Sequence, residues 1–245
     1  YCLEKHSDGE MKMVPWTFEG YSHVPNVPIG TLFVQTSETA RLTFMLDLLM
    51  KYNRSAMFVG NAGTGKTVVM RQKLISLDAD EFNVCDINLN CFTDSMTLQM
   101  IMEQQLEKKA GIVFGPPGNT RLIYFVDDLN MPVVDKYGTQ EPIALLRQYV
   151  DYGMWYERAK LTPRKVKNCD LMACMNPTAG SFTIQPRLQR QFACFSCQLP
   201  KEASLQTIYG AILAAHLGDF DQDTQDISKA VSDCAVALQA GVAGT

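Results

Sequence analysis

Residues Gly60-Asn-Ala-Gly-Thr-Gly65-Lys66-Thr67 have the spacing GxxxxGK[ST], directly after an apolar run at 55–59 and directly before a helix-forming stretch. Strand, glycine loop and helix in that order are what a backbone needs in order to bind phosphate. Successive N–H groups converge on phosphate oxygens at a helix N-terminus, where the helix dipole adds its own attraction for negative charge. Glycine is needed because side chains would block the approach. The expected phosphate-contacting segment is therefore Gly60, Asn61, Ala62, Gly63, Thr64, Gly65, Lys66, Thr67 and Val68. Within it, the Lys66 ammonium reaches the β- and γ-phosphates and the Thr67 hydroxyl binds Mg²⁺. A glycine-rich turn with no ligand is the plain alternative, and the flanking strand and helix weigh against it.

Asp127 and Asp128 close the uninterrupted apolar run 122–126, leaving room after Thr67 for one intervening helix and strand. Alone, two carboxylates at a strand end read as an ordinary solvated terminus. Beside a phosphate loop they read as a Walker B pair, with Asp127 holding the magnesium's water shell and Asp128 placed to orient or deprotonate water. An Asn ends the next strand, at Met175-Asn176-Pro177, and Arg187 and Arg190 precede the last one. Asn-Pro is also a common turn, and the arginines read equally as solvated helix-end charges, so these positions draw their meaning from order and spacing. A guanine-reading NKxD and a transporter-type serine-glycine signature are both lacking from the sequence.

The elements that must hold these groups follow from periodicity. Leu42, Met45, Leu46, Leu49 and Met50 recur at helical spacing ahead of the first strand. Strands are expected at 55–59, 84–89, 122–126, 171–175 and 192–199, with helices at 66–77, 97–108 and 139–150 and a polar, aromatic insertion at 151–168. Run 122–126 has the composition of a strand buried on both faces. The fold class is thus α/β, a five-stranded parallel sheet flanked by helices. Past Pro200 only helical patterns remain, at 205–217 and around Ile227, Val231, Cys234 and Leu238. The expected organisation is a Pro- and Gly-rich connection over 1–35, a large α/β subdomain over 36–199, and the start of a helical lid over 200–245.

Composition bounds the partners. With 22 Lys+Arg against 26 Asp+Glu, the formal net charge is −4, which gives no general attraction to nucleic acid. No apolar run approaches the length that spans a bilayer, so no membrane is expected. Residue 1 is Tyr and no charged-then-apolar leader follows, so the sequence reads as a segment of a longer polypeptide. Eight scattered Cys without secretory context read as reduced thiols of a cytosolic setting. Cys194 and Cys197 have CxxC spacing, but on a strand i and i+3 face opposite sides, and the three His are not at ligand spacing, so no zinc site is expected.

The order phosphate loop, acidic strand end, Asn176, then Arg187-x-x-Arg190 and a helical segment resembles the AAA+ family of P-loop NTPases. Longer strings narrow the resemblance. Phe125-Val-Asp-Asp-Leu-Asn-Met-Pro132, Asp135-Lys-Tyr-Gly-Thr139, Leu145-Leu-Arg-Gln148, Trp155-Tyr156, Ala173-Cys-Met-Asn-Pro-Thr-Ala-Gly-Ser-Phe-Thr-Ile184 and Leu106-Glu-Lys-Lys-Ala-Gly111 are similar to the third AAA+ module of axonemal dynein heavy chains. The resemblance runs from about residue 24 to about residue 217. It implies ATP or ADP with Mg²⁺, a sensor role for Asn176 at the γ-phosphate or attacking water, and arginines at 187 and 190 that reach a neighbouring module's nucleotide. It also implies neighbouring AAA+ modules of the same heavy chain and other dynein chains as partners, microtubules only through other parts of the motor, and a place in the cytoplasmic axoneme of a cilium or flagellum. The expected role is regulation of the motor by nucleotide occupancy; slow ATP hydrolysis, a structural ADP site and a remodelling ATPase outside the dyneins are the alternatives. One departure is Asp128, where most hydrolysing relatives carry Glu, a side chain longer by about 1.5 Å. Another is that no Arg follows Arg190 to serve as a lid arginine.

Overall fold

The computed structural model describes residues 2–5, 10–14, 16, 21, 32–178, 184–218 and 220–243. The chain divides into two compact units, Leu46–Gln198 and the combination of Tyr1–Met45 with Leu199–Thr245. The second of these opens with an antiparallel hairpin, β1 (Cys2–Lys5) and β2 (Met11–Val14), where the sequence predicts only an extended connection. Most of that connection, with its prolines and glycines, lies outside the described residues. Helix α1 (Ser37–Lys51) runs across the division between the units. Its start is fixed by a reciprocal cap: the Thr36 backbone N–H donates to Thr39 Oγ1 at 2.8 Å, and the Thr39 N–H donates to Thr36 Oγ1 at 3.3 Å.

The larger unit runs β3 (Ala56–Val59), α2 (Lys66–Ile75), β4 (Phe82–Asn88), α3 (Ser95–Gln104), β5 (Glu107–Ala110), β6 (Val113–Gly115), β7 (Arg121–Asp127), α4 (Glu141–Tyr152), β8 (Met154–Tyr156), β9 (Pro163–Val166), β10 (Cys169–Met175), α5 (Pro186–Gln189) and β11 (Ala193–Ser196). After it come α6 (Glu202–His216) and α7 (Gln222–Ala243), which pack on one another. Five strands form one parallel sheet in the order β11-β3-β10-β7-β4. All five are where the sequence predicts them, with ends shifted by up to three residues. Strand β7 shows why: Leu122 to Val126 are at most 1% exposed, since the strand is paired on both edges and covered on both faces. Tyr124 fits that interior because its hydroxyl donates to Met102 O at 2.8 Å, and burial pushes its phenol well above the usual range.

A second, four-stranded sheet, ordered β5-β6-β9-β8, corrects two sequence expectations. The helix predicted over 97–108 is α3, which starts earlier because Asp94 caps it by accepting from the Thr97 N–H at 2.7 Å, and which stops at Gln104. Glu107–Ala110 then turns through Gly111, at φ 57°, and pairs antiparallel with β6. The insertion at 151–168 holds β8 and β9, which pair antiparallel with each other, while β9 runs parallel to β6. Gly153, at φ 62°, ends α4 and starts that excursion. Among the described residues no helix is long and apolar enough to cross a membrane.

Candidate nucleotide site at the strand ends

Strands β3, β10 and β7 are neighbours and run the same way, with Val59 beside Met175 and Val126 beside Ala173. Their carboxyl ends therefore deliver the glycine loop, Asn176 and the Asp127–Asp128 pair to one edge of the sheet, the place where open α/β sheets bind ligands. The glycine loop is held from both sides. The Gly60 N–H donates to Met175 O at 3.3 Å, and a Cβ on Gly60 would lie 2.2 Å from the Cys197 carbonyl oxygen, so only glycine fits. Gly65, at φ 78°, adopts the left-handed backbone that turns the loop into α2. Val68 follows on the first turn of α2 and is largely exposed, as are Asn61, Ala62 and Gly63 at the loop's tip.

Lys66 is only 9% exposed, yet its Nζ has neutral partners: it donates to Asn61 O at 2.7 Å and to Thr64 Oγ1 at 3.3 Å. The Thr64 hydroxyl itself donates to the same Asn61 carbonyl at 2.9 Å. A buried ammonium coordinated by neutral oxygens is a strong attractor for an anion. Across the sheet, the Thr67 hydroxyl donates to Asp127 Oδ1 at 3.3 Å. A hydroxyl and a carboxylate in contact form the hard-oxygen donor set that suits Mg²⁺. The glycine-opened cradle, the buried cation and this oxygen pair together fit a magnesium-bound nucleotide.

Asp128 lies at φ 52°, in the left-handed region, and its N–H donates to Asp127 Oδ1 at 3.1 Å. Partial desolvation, and then the charge of Asp127, push its carboxyl above the usual range, while Lys66 pulls it down. Asn176 sits in a hydrogen-bonded turn: its backbone carbonyl accepts Asn130 Nδ2 at 2.8 Å, and its Oδ1 accepts the Thr178 N–H at 3.2 Å. Residues 179–183 of the string that follows lie outside the described residues.

The structure keeps Arg187 and Arg190 apart from this constellation. They lie on and just after α5 and line a cavity of about 980 Å³ together with Arg147, Arg158, Glu141 and Asp151, and no glycine-loop residue borders it. Both are exposed, and Arg190 comes within 3.9 Å of Asp151. Four groups at these two places escape the sequence reading. Asn130 and Thr178 act through hydrogen bonds between loops that follow different strands, and Arg147 and Arg158 share the arginine-lined cavity only once α4 and β8 are folded beside α5. No local spacing marks any of the four.

Residues 21–200 match the family described as P-loop containing dynein motor region. The flagellar outer arm dynein beta chain of Chlamydomonas reinhardtii is 45% identical over 94% of this chain. Dynein axonemal heavy chain 17 of Homo sapiens is 45% identical over 96% of it, and the ciliary dynein beta chain of Heliocidaris crassispina 44% over 99%. The chain spans about 5% of the length of these curated relatives.

Proposed function

The chain belongs to the family of P-loop-containing dynein motor regions, and on that premise we propose that it is the third AAA+ module of an axonemal dynein heavy chain, regulating the motor through occupancy by ATP or ADP with Mg²⁺. The observation that carries the reading is the 3.3 Å contact between Thr67 and Asp127, which closes a metal-type oxygen pair beside the buried Lys66. When bound, Mg²⁺ neutralises phosphate charge and the nucleotide supplies the bond whose cleavage changes the module's state. The chain's own residues divide the remaining work. The loop amides and Lys66 hold the phosphates, Thr67 and Asp127 hold the metal and its water, and Asn176 presents a polar group to the terminal phosphate. Asp128 keeps an affinity for protons that suits a general base. Its reach falls short of a glutamate's by about one bond, which favours slow turnover and thus a switch over an engine. Arg187 and Arg190, away from the glycine loop, serve the nucleotide of an adjacent module.

In this assignment the partners are the neighbouring modules of the same heavy chain and the other chains of the motor, microtubules are engaged through other parts, and the workplace is the axoneme. The test is nucleotide content at this site in the intact heavy chain. Lys66→Ala should empty it without unfolding the module, and Arg187→Ala should leave it filled while weakening retention next door. Wild-type occupancy in Lys66→Ala would overturn the assignment.

A further inference from the structure

The turn after β10 contains a contact to which the nucleotide reading gives no task. The Thr178 hydroxyl lies 3.1 Å from Asn176 Oδ1 and 3.0 Å from Asn61 Oδ1, where it can donate to either. Asn61 is already the hub of the phosphate loop, since its carbonyl accepts both Lys66 Nζ and the Thr64 hydroxyl. Asn130, 2% exposed in the loop after β7, secures the other side through its 2.8 Å bond to the Asn176 carbonyl. One exposed threonine thus joins the loop that follows β3 to the turn that follows β10.

A carboxamide has one accepting and one donating end, and its hydrogen bonds decide which end faces which way. Thr178 engages Asn176 through Oδ1, by backbone N–H and by hydroxyl, so the end it leaves to other partners is the NH₂ group. Only that end can donate to an anionic oxygen; the reverse orientation would set a carbonyl oxygen against phosphate. The hydroxyl carries a single proton. When it turns to Asn61, the Thr178 backbone N–H still holds Asn176, so one residue can fix both carboxamides at once, the second through its hydroxyl. We infer that Thr178 is a positioning residue that sets, through Asn176 and Asn61, how far this site prefers a nucleoside triphosphate to a diphosphate. The inference rests on the nucleotide-site assignment and on Asn176 facing the terminal phosphate.

The experiment uses the intact heavy chain with its other nucleotide sites disabled, and measures affinity for ADP and for a non-hydrolysable ATP analogue. Thr178→Val removes the hydroxyl and keeps the shape, and the exposed position makes it safe for folding. The triphosphate analogue should weaken roughly fivefold, the worth of one hydrogen bond, while ADP affinity stays within about twofold. Thr178→Ser should restore the wild-type ratio. An unchanged ratio in Thr178→Val, or an equal loss for both ligands, would overturn the positioning role and leave the nucleotide site standing. Wild-type protein that binds neither ligand, or Lys66→Ala that binds both normally, would instead overturn the site assignment.

Discussion

The two sheets of the larger unit differ in what is added to the apolar core they share. The parallel sheet buries Met57, Phe58, Tyr124 and Phe125 completely, so its cohesion comes from apolar surface removed from water. The four-stranded sheet begins with β5, whose four residues are all exposed, and it is tied down by a charged node. Glu103 on α3 accepts from Gln99 at 2.9 Å, from Trp155 Nε1 at 2.7 Å and from Arg164 at 2.7 Å. Arg164 continues to Glu157 at 3.1 Å and lies over the Phe114 ring at 5.0 Å. The first arrangement is rigid and carries the loops of the nucleotide site. The second shares the apolar core through Trp155 and Val166 and adds to it a clamp of a few half-buried polar groups.

The largest expected effect strikes the parallel sheet. Phe125→Ala in β7 should cost about 3–5 kcal/mol in denaturant unfolding, because the surrounding strands cannot close the cavity it leaves. A loss below about 1 kcal/mol would show that the apolar interior is not what holds this sheet. Glu103→Ala should come next, at about 1–3 kcal/mol, by stranding the Trp155 and Arg164 donors. Hydrogen exchange should quicken at β8 and β9 while amides of β7 stay protected; equal quickening in both sheets would mean that the Glu103 node supports both alike.

The smallest effect concerns the site. The Asp128 carboxyl is pushed up from its ordinary value, so its protonated form is the one the fold favours. Its stabilising contribution is present at acid pH and is lost as pH rises through the folded-state value, leaving a destabilising charge beside Asp127 at neutral pH. Asp128→Asn, which tolerates the same left-handed backbone, should raise the unfolding temperature slightly at pH 7, the exposed position screening most of the effect. The gain should fade as pH falls through the ordinary carboxylate range near 4. A gain that persists at low pH would assign it to something other than charge.

What could be read from the sequence follows the same divide. Strands β3, β7 and β10 are legible because each buries an apolar run, β4 because Cys85 and Ile87 alternate inward, and the glycine loop because its spacing is local. Glu107–Ala110 is not, since Glu-Lys-Lys-Ala prolongs a helical pattern and the turn at Gly111 only becomes a hairpin when Val113 is beside it. Strands β8 and β9 are too short, at three and four residues, for an alternation to register. Asn130 and Thr178 are silent for a different reason: each acts on a loop that is distant in sequence, and only the order of strands in the sheet brings the partners together.

That order also sets a timetable. Gly60 leaves room for nothing larger because the Cys197 carbonyl stands against it, and Cys197 follows the last strand of the sheet. On the ribosome, the glycine motif emerges long before the residue that walls it in. Until Ala193–Ser196 zips along β3, that strand keeps one raw edge, and the loop at its tip is bounded on one side only. A nascent chain stalled between Asn176 and Phe192 carries every letter of the phosphate motif without a finished cradle, and it offers an apolar strand edge to any neighbour. The site is therefore completed only once this last strand of the sheet is made, a strand that contains none of its chemistry.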